Sequence, residues 1–264
     1  MSTRSEEGFT LIELLVVIAV IAVLMGVLMP ALKIARDQSR QVMCSSNLRQ
    51  WGIAVATYVG ENDGRLLKTD DTWGGGPEGI IAWSTEDKAR AHPGEFSLPV
   101  FGPYMPGFDY EKRDLGDAWL CPANKMDYYW MTHEHWDAAR FIVMEYAYWA
   151  RMDIYRDHTT HPQHLTEREL TGNRIIVTDA CFRLGGTNGY LYNHGRRGAS
   201  VHRNPELFNW GHMDTGPPAI TGLNRCFGDG HVEWKSHSEY DIDLMNDWND
   251  RTEPRVLSGN QSFY

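Results

Sequence analysis

The most pronounced feature of the hydrophobic pattern is one apolar run near the start of the chain. It covers residues 9–29, FTLIELLVVIAVIAVLMGVLM, and its one charged residue is Glu13. A run of this length crosses a hydrocarbon core of about 30 Å when it is helical. A secretory signal peptide has instead a shorter apolar core, a basic start and a small-residue cleavage site after that core. The pattern therefore predicts a transmembrane helix over residues 9–30.

After Pro30 the pattern becomes amphipathic. Pro30 lacks a backbone N–H donor, so we expect a kink in the helix where it leaves the membrane. Further on, apolar residues recur at alternating steps of four and three, which is the spacing of one helical face: Cys44, Leu48, Trp51, Val55 and Tyr58. The sequence Gly-Glu-Asn-Asp-Gly at residues 60–64 is a strong helix stop. We therefore expect residues 31–60 to continue the helix and to pack this apolar stripe against a globular head.

Residues 61–264 have the turn-rich pattern of a globular domain. Residues 141–149 and 174–178 are rich in β-branched and aromatic side chains, and residues 225–234 predict a hairpin that turns at Gly228-Asp229-Gly230. A long helix followed by antiparallel strands predicts an α+β fold in which the sheet covers the apolar stripe of the helix.

Composition and charge narrow the functional classes. With 42% hydrophobic and 23% charged residues, the chain has the composition of a folded protein. Acidic residues outnumber basic ones, 35 to 25, whereas a nucleic-acid-binding protein needs a basic surface. No Gly-x-Ser-x-Gly motif, phosphate-binding loop or Cys/His nucleophile signature occurs in the sequence. We therefore expect neither a nucleic-acid partner nor an enzyme.

The residues on either side of position 8 resemble a known processing signal. The segment MSTRSEEG ends in Gly8 and is followed at once by Phe-Thr-Leu-Ile-Glu, which resembles the GFTLIEL signature of type IV prepilins and type II secretion pseudopilins. The resemblance implies that a prepilin peptidase removes the leader, residues 1–8, between Gly8 and Phe9, and that the new amine of Phe9 is methylated. Residues 9–30 then remain as a single-pass inner-membrane anchor, with the head, residues 61–264, in the periplasm or at the cell surface.

The same resemblance implies a structural function. The fold is expected to be pilin-like, a long N-terminal helix packed on an antiparallel β-sheet head. The chain is expected to be a pseudopilin or minor pilin of a type II secretion or type IV pilus-like filament. A carboxylate in a membrane helix needs a cation, which in the family is the terminal amine of a neighbouring subunit, so Glu13 and the kink at Pro30 would serve assembly. The implied partners are other pilin-like subunits, prepilin peptidase, an inner-membrane assembly platform and the lipid bilayer, and no cofactor is required.

The C-terminal sequence TGLNRCFGDGHVEW, with Asn193-His194-Gly195 before it, also carries a resemblance. It is similar to the ending of a group of pseudopilin-like proteins with large heads, in which a His precedes an Asp-Gly turn and His-Val-x-Trp. Asp229-Gly230 suits a tight hairpin turn. In the alternative interpretation, the carboxylate of Asp229, together with Asp179, binds a hard cation such as Ca²⁺, which takes six or more oxygen ligands.

Four cysteines in an exported head suit an oxidising compartment, and they allow three connectivities. We favour Cys181–Cys226, because each of these residues lies at the end of a β-rich run and the two runs would be neighbours in one sheet. The other pair, Cys44–Cys121, would tie the helix to the head. Free buried thiols are the alternative.

Two other functions remain open from the sequence. The head is rich in aromatic residues, since the chain has ten Trp and 12 Tyr, and aromatic faces stack on sugars, so a membrane-anchored adhesin or glycan-binding protein is one alternative. A membrane-tethered metal-dependent enzyme is the other. It would use His-Glu-His at residues 133–135 or His-x-x-His-x-x-His at residues 158–164. Neither has a zinc spacing such as His-Glu-x-x-His, so we expect polar surface loops at both.

Overall fold

The structure of the protein is a computed structural model that describes residues 10–67, 82–84, 98–123, 141–143, 146–148, 170–172, 174–179, 181–184, 189–195 and 220–239. The chain divides into two compact units, Met1–Arg40 and Gln41–Tyr264. Helix α1, Leu11–Glu61, begins in the first unit and ends in the second.

The described part of the first unit is the N-terminal portion of α1. Apolar side chains along it, from Leu11 to Ile34, are exposed. The helix continues through Pro30 without a break, and it is long and apolar enough to cross a membrane. A helix that is apolar all round suits hydrocarbon surroundings. This portion of α1 therefore supports membrane anchoring.

Helix α1 ends at the predicted glycine-rich turn. Asp63 and Gly64 have positive φ angles of 56° and 74°. The N–H of Gly64 donates to the carbonyl of Val59 at 2.9 Å. The last carbonyls of an α-helix have no N–H donor within the helix. This left-handed turn supplies one for the carbonyl of Val59.

The second unit contains the described strands and the short helix α2, Leu98–Phe101. The strands are β1 (Ala82–Ser84), β2 (Phe141–Val143), β3 (Tyr146–Tyr148), β4 (Ile175–Asp179), β5 (Cys181–Leu184), β6 (Gly189–Tyr192), β7 (Gly222–Phe227) and β8 (Val232–Ser236). An antiparallel sheet has the order β3-β4-β7-β8, and two separate antiparallel pairs are β1-β2 and β5-β6.

The predicted strands are largely confirmed. Residues 174–178 match β4, and residues 225–234 fall in the β7–β8 hairpin, which turns at the predicted Gly228-Asp229-Gly230. Residues 141–149 instead divide into β2 and β3, which belong to different sheets.

The core forms where the C-terminal portion of α1 packs on the sheet and on the segment around α2. All five residues of the predicted apolar stripe are buried. At the centre, the ring of Trp51 stands edge-on to Trp119 at 4.8 Å and stacks on Phe101 at 5.5 Å. Its indole N–H donates to the carbonyl of Ala118 at 3.0 Å. Trp51 therefore buries a large apolar surface while its one polar atom stays paired.

Helix α1 comes close to the β7–β8 hairpin at Gly52. A Cβ at this position would lie 2.9 Å from Sγ of Cys226 and 3.5 Å from Cα of Gly230. A residue without a side chain thus permits the approach of the helix to the sheet. The long N-terminal helix on an antiparallel sheet confirms the predicted α+β class and is consistent with a pilin-like fold.

Candidate functional sites

The first candidate site is the N-terminus of α1, where Thr10 and Glu13 cap each other. The backbone N–H and the hydroxyl of Thr10 both donate to Oε2 of Glu13 at 2.8 Å, and the N–H of Glu13 donates to Oγ1 of Thr10 at 3.3 Å. This is a capping box, in which the first residue before the helix and the third residue within it satisfy each other's backbone donors. The carboxylate also lies at the positive end of the helix dipole.

The capping role of Glu13 was not predicted from the sequence, although Thr10-x-x-Glu13 carries its signature. Pro30, the other predicted assembly residue, lies inside the exposed portion of α1. Gly8 and Phe9, the predicted processing residues, lie outside the described residues.

The second candidate site is a buried cluster that contains Cys44 and Cys121. A disulfide joins these residues, with their Cα atoms 5.3 Å apart. Cys44 lies on α1, and Cys121 follows the short helix Asp117–Trp119. The bond therefore ties the long helix to a segment far along the chain, at a sequence separation of 77.

His194 and Asp179 complete this cluster. Nε2 of His194 lies 3.6 Å from Sγ of Cys121 and 3.1 Å from Oδ2 of Asp179. The His194 ring stands edge-on to Trp234, with centroids 5.3 Å apart. Cys44, Cys121, Asp179 and His194 are all buried, and one ligand atom from each lies within 4.8 Å of the others.

The carboxylate of Asp179 is held at one oxygen only. The backbone N–H and the side-chain amide of Asn224 donate to Oδ2 at 2.7 and 2.9 Å. The other oxygen, Oδ1, is buried and accepts no hydrogen bond from any residue that the structure describes. Leaving a buried acceptor unpaired costs about 1–3 kcal/mol. Asp179 is only 1% exposed, so bulk water does not offset this cost.

The cluster does not have the geometry of a catalytic triad. In such a triad the nucleophile and the acid contact different nitrogens of the histidine ring. Here Sγ of Cys121 and Oδ2 of Asp179 both approach the same atom, Nε2 of His194. The sulfur, nitrogen and oxygen atoms of the four residues instead lie close together, as the ligands of a metal ion do.

The favoured disulfide Cys181–Cys226 was a wrong prediction, because Cys226 is a buried free cysteine. The two residues do not lie on neighbouring strands. Cys226 lies on β7, opposite Val177 of β4, whereas Cys181 lies on β5 in a separate sheet. Burial, and secondarily the charge of Asp229, raises the pKa of the Cys226 thiol to about 12. This residue is therefore a core thiol that stays protonated at neutral pH.

Asp229 lies in the hairpin turn and not in the buried cluster. Its carboxylate accepts hydrogen bonds from the backbone N–H and the ring of His231, and these hold its pKa below the ordinary 3.8. Asp179 contacts Asn224, which lies within β7, three residues before that strand ends. Among the described residues, the cluster that could hold a metal contains Asp179 but not Asp229.

The histidine-rich segments at 133–135 and 158–164 lie outside the described residues. Of the aromatic side chains in the part of the chain that the structure describes, Tyr110 is exposed, whereas the largest ones, such as Trp51 and Trp119, are in the core.

Comparison with known proteins gives one match, at the N-terminus. Residues 3–29 match the prokaryotic N-terminal methylation motif. No curated protein and no solved structure matches the chain. The matched segment includes Gly8, Phe9 and Glu13 and runs into the apolar portion of α1. The match supports a type IV pilin-like protein that is processed by prepilin peptidase, anchored in a membrane and assembled into filaments.

Proposed function

We propose that this chain is a pseudopilin or minor pilin, a structural subunit of a type II secretion or type IV pilus-like filament. Prepilin peptidase cuts it between Gly8 and Phe9, and the amine of Phe9 is then methylated. Residues 9–30 hold the subunit in the inner membrane until the assembly platform transfers it to the filament. The observation that carries this proposal is the methylation motif at residues 3–29, which leads directly into a long apolar helix.

The structure supports assembly through α1. Its N-terminal portion presents apolar side chains all round, and these can pack against lipid before assembly and against the helices of other subunits afterwards. The C-terminal portion is fixed to the head by its buried stripe and by the Cys44–Cys121 bond. A subunit built in this way can leave the membrane with its head already folded.

The proposal places the head outside the cytoplasm. Disulfides persist in oxidising compartments such as the periplasm and are rare in the cytosol. The Cys44–Cys121 bond therefore supports an extracytoplasmic head independently of the match at the N-terminus.

A processing experiment tests the proposal. The chain is produced in cells that contain a prepilin peptidase and an assembly platform, and the size of the protein is compared in membranes and in sheared filaments. We expect the wild type to be shortened and to enter the filament fraction, and Gly8→Ala to remain a membrane-bound precursor. Gly26→Ala is the matched control, because nothing lies within 4 Å of an added Cβ there. Normal processing of Gly8→Ala, or an uncut wild type, would contradict the proposal.

A further inference from the structure

We propose that the reduced protein binds one Zn²⁺ ion through Cys44, Cys121, Asp179 and His194, and that this ion and the Cys44–Cys121 disulfide are alternative states of the same buried cluster. The metal would join four segments of the head. Cys44 lies on α1, Cys121 follows the Asp117–Trp119 helix, Asp179 ends β4 and His194 follows β6. The disulfide joins only the first two of these segments.

The residue types suit zinc. Structural zinc sites use four ligands drawn from thiolate sulfur, imidazole nitrogen and carboxylate oxygen, in a tetrahedron. Calcium takes six to eight oxygen ligands, so two sulfurs and one nitrogen exclude it here. The soft thiolates also select against magnesium and manganese.

The spacing of the ligand atoms suits a tetrahedron of this size. With zinc bonds of about 2.3 Å to sulfur and about 2.0 Å to nitrogen or oxygen, neighbouring ligand atoms should lie about 3.3–3.8 Å apart. Nε2 of His194 lies 3.6 Å from Sγ of Cys121, and one ligand atom from each of the four residues lies within 4.8 Å of the others. Once the bond between the two sulfurs is broken, the sulfurs have to separate, and ligand atoms more than about 3.8 Å apart have to approach each other.

The unpaired oxygen of Asp179 is independent support for a cation. This side chain is 1% exposed, and no residue in the described ranges donates to its Oδ1. A metal ion would supply the missing partner. The two hydrogen bonds from Asn224 to Oδ2 fix the orientation of the carboxylate, and residues that bond to metal ligands commonly have this effect.

Reduction converts the Cys44–Cys121 disulfide into two thiols. A phosphine reductant breaks the S–S bond and takes an oxygen atom from water to become a phosphine oxide, and the two water protons go to the two sulfurs. When Zn²⁺ then binds, both thiols lose their protons to the solvent, because the thiolate is the metal ligand. The oxidised protein has no thiolates at positions 44 and 121, so it cannot form the site.

Cobalt substitution tests the proposal. Full-length protein without a histidine tag is purified in detergent, reduced with a phosphine and titrated with Co²⁺, which reports tetrahedral thiolate ligation by sulfur-to-metal charge-transfer absorption and strong visible bands. We expect these bands to saturate at one ion per chain, to disappear when Zn²⁺ is added, and to be absent from oxidised protein. Bound Zn²⁺ should also protect Cys44 and Cys121 from alkylation in the reduced protein.

Matched variants separate this site from other metal-binding residues. We expect His194→Ala and Asp179→Asn to weaken Zn²⁺ binding at least tenfold. Asn224→Ala removes the side-chain hydrogen bond to Asp179 but keeps the backbone one, so we expect it to weaken binding by about tenfold. His231→Ala and Cys226→Ala are the controls, because His231 lies in the exposed turn and Cys226 lies outside the cluster. Both should keep the charge-transfer bands and the wild-type affinity.

Three results would overturn the proposal. The first is the absence of charge-transfer bands in the reduced wild type, and the second is their persistence in both His194→Ala and Asp179→Asn. The third is equal binding by the oxidised and reduced proteins. Circular dichroism of each oxidised variant checks that the head is folded before reduction. A reduced variant that unfolds without metal and refolds on addition of Zn²⁺ counts against the assigned role of the residue that was changed.

Discussion

At the level of single residues, the carboxylate of Glu13 caps α1 in the structure and has a second role in the proposed filament. In the isolated chain, Oε2 of Glu13 accepts hydrogen bonds from the backbone and hydroxyl of Thr10. In the proposed filament the same carboxylate pairs with the terminal amine of a neighbouring subunit. Both contacts involve the charged carboxylate, but a protonated amine adds the attraction of an opposite unit charge, which is larger where the dielectric constant is low. The capping contact can therefore give way to the contact between subunits.

Replacement of Glu13 by Val should separate insertion from assembly. The change removes a charge from the membrane helix, so processing and insertion should remain normal, while incorporation into filaments should fall. Filament incorporation is measured as the fraction of mature subunit recovered after shearing. Thr10→Ala is the matched control, because it removes a capping partner, at about 0.5–2 kcal/mol of helix stability, but keeps the carboxylate and should still assemble. Equal incorporation of Glu13→Val and wild type would remove the pairing role.

Asp229→Asn should have little effect on the hairpin at neutral pH, because Asn-Gly suits the same turn. The pKa of Asp229 is lowered by hydrogen bonds from His231, so its stabilising contribution is present above the ordinary pKa of 3.8 and is lost as the pH falls through the lowered value. The melting temperature of the wild type should therefore fall more in acid than that of the variant.

The calcium interpretation of Asp229 has its own test. Addition of calcium or chelator at neutral pH should change the melting temperature of neither the wild type nor Asp229→Asn. A calcium-dependent increase in melting temperature that Asp229→Asn abolishes would show that Asp229 is a calcium ligand.

At the level of elements, hydrophobic periodicity and turn residues predict the features of the fold that depend on local sequence. The apolar stripe of α1, its glycine-rich end and the β7–β8 hairpin follow from residues that are close in sequence. The pairing of Cys181 with Cys226 was wrong because it depended on which strands share a sheet, and strand order is set by contacts between distant segments. The same limit applies to Asp179 and His194, which share no motif and come from different sheets.

Gly52→Ala should destabilise the packing of α1 on the β7–β8 hairpin. The new Cβ would lie 2.9 Å from Sγ of Cys226, and overpacking of a core costs about 1–3 kcal/mol. Denaturant unfolding of the full chain in detergent measures the change. Gly60→Ala is the control, since nothing lies within 4 Å of a Cβ there, and a helical Ala should leave stability unchanged or slightly higher.

A double variant identifies the clash that Gly52→Ala creates. Cys226→Ala removes the sulfur atom, so the double variant Gly52→Ala/Cys226→Ala should lose less stability than the sum of the two single variants. Strict additivity of the two changes would show that Gly52 and Cys226 do not meet.

At the level of the whole molecule, the Cys44–Cys121 bond links α1 to a segment that follows 77 residues later. Closure of a loop of this length restricts the unfolded chain, and disulfides of this kind typically contribute about 2–4 kcal/mol. In the described part of the head, therefore, the attachment of the long helix depends on one covalent bond as well as on the apolar stripe.

Removal of this bond should lower the unfolding free energy by about 2–4 kcal/mol. The comparison is made in chelator, between oxidised wild type, reduced wild type and the double variant Cys44→Ala/Cys121→Ala. Reduction should destabilise the wild type and leave the double variant unchanged. Cys226 should be alkylated only in denaturant, because it is buried and its thiol has a pKa raised to about 12. Alkylation of Cys44 and Cys121 in unreduced, denatured protein would contradict the disulfide.

In the proposed function, prepilin peptidase converts this chain into a subunit with a new N-terminus at Phe9. Mass spectrometry of the N-terminal peptide from membrane-extracted protein measures both the cut and the methyl group. We expect a peptide that begins with N-methyl-Phe9 and contains Glu13. Mature protein that still carries residues 1–8, or that begins after the apolar helix, would contradict this expectation.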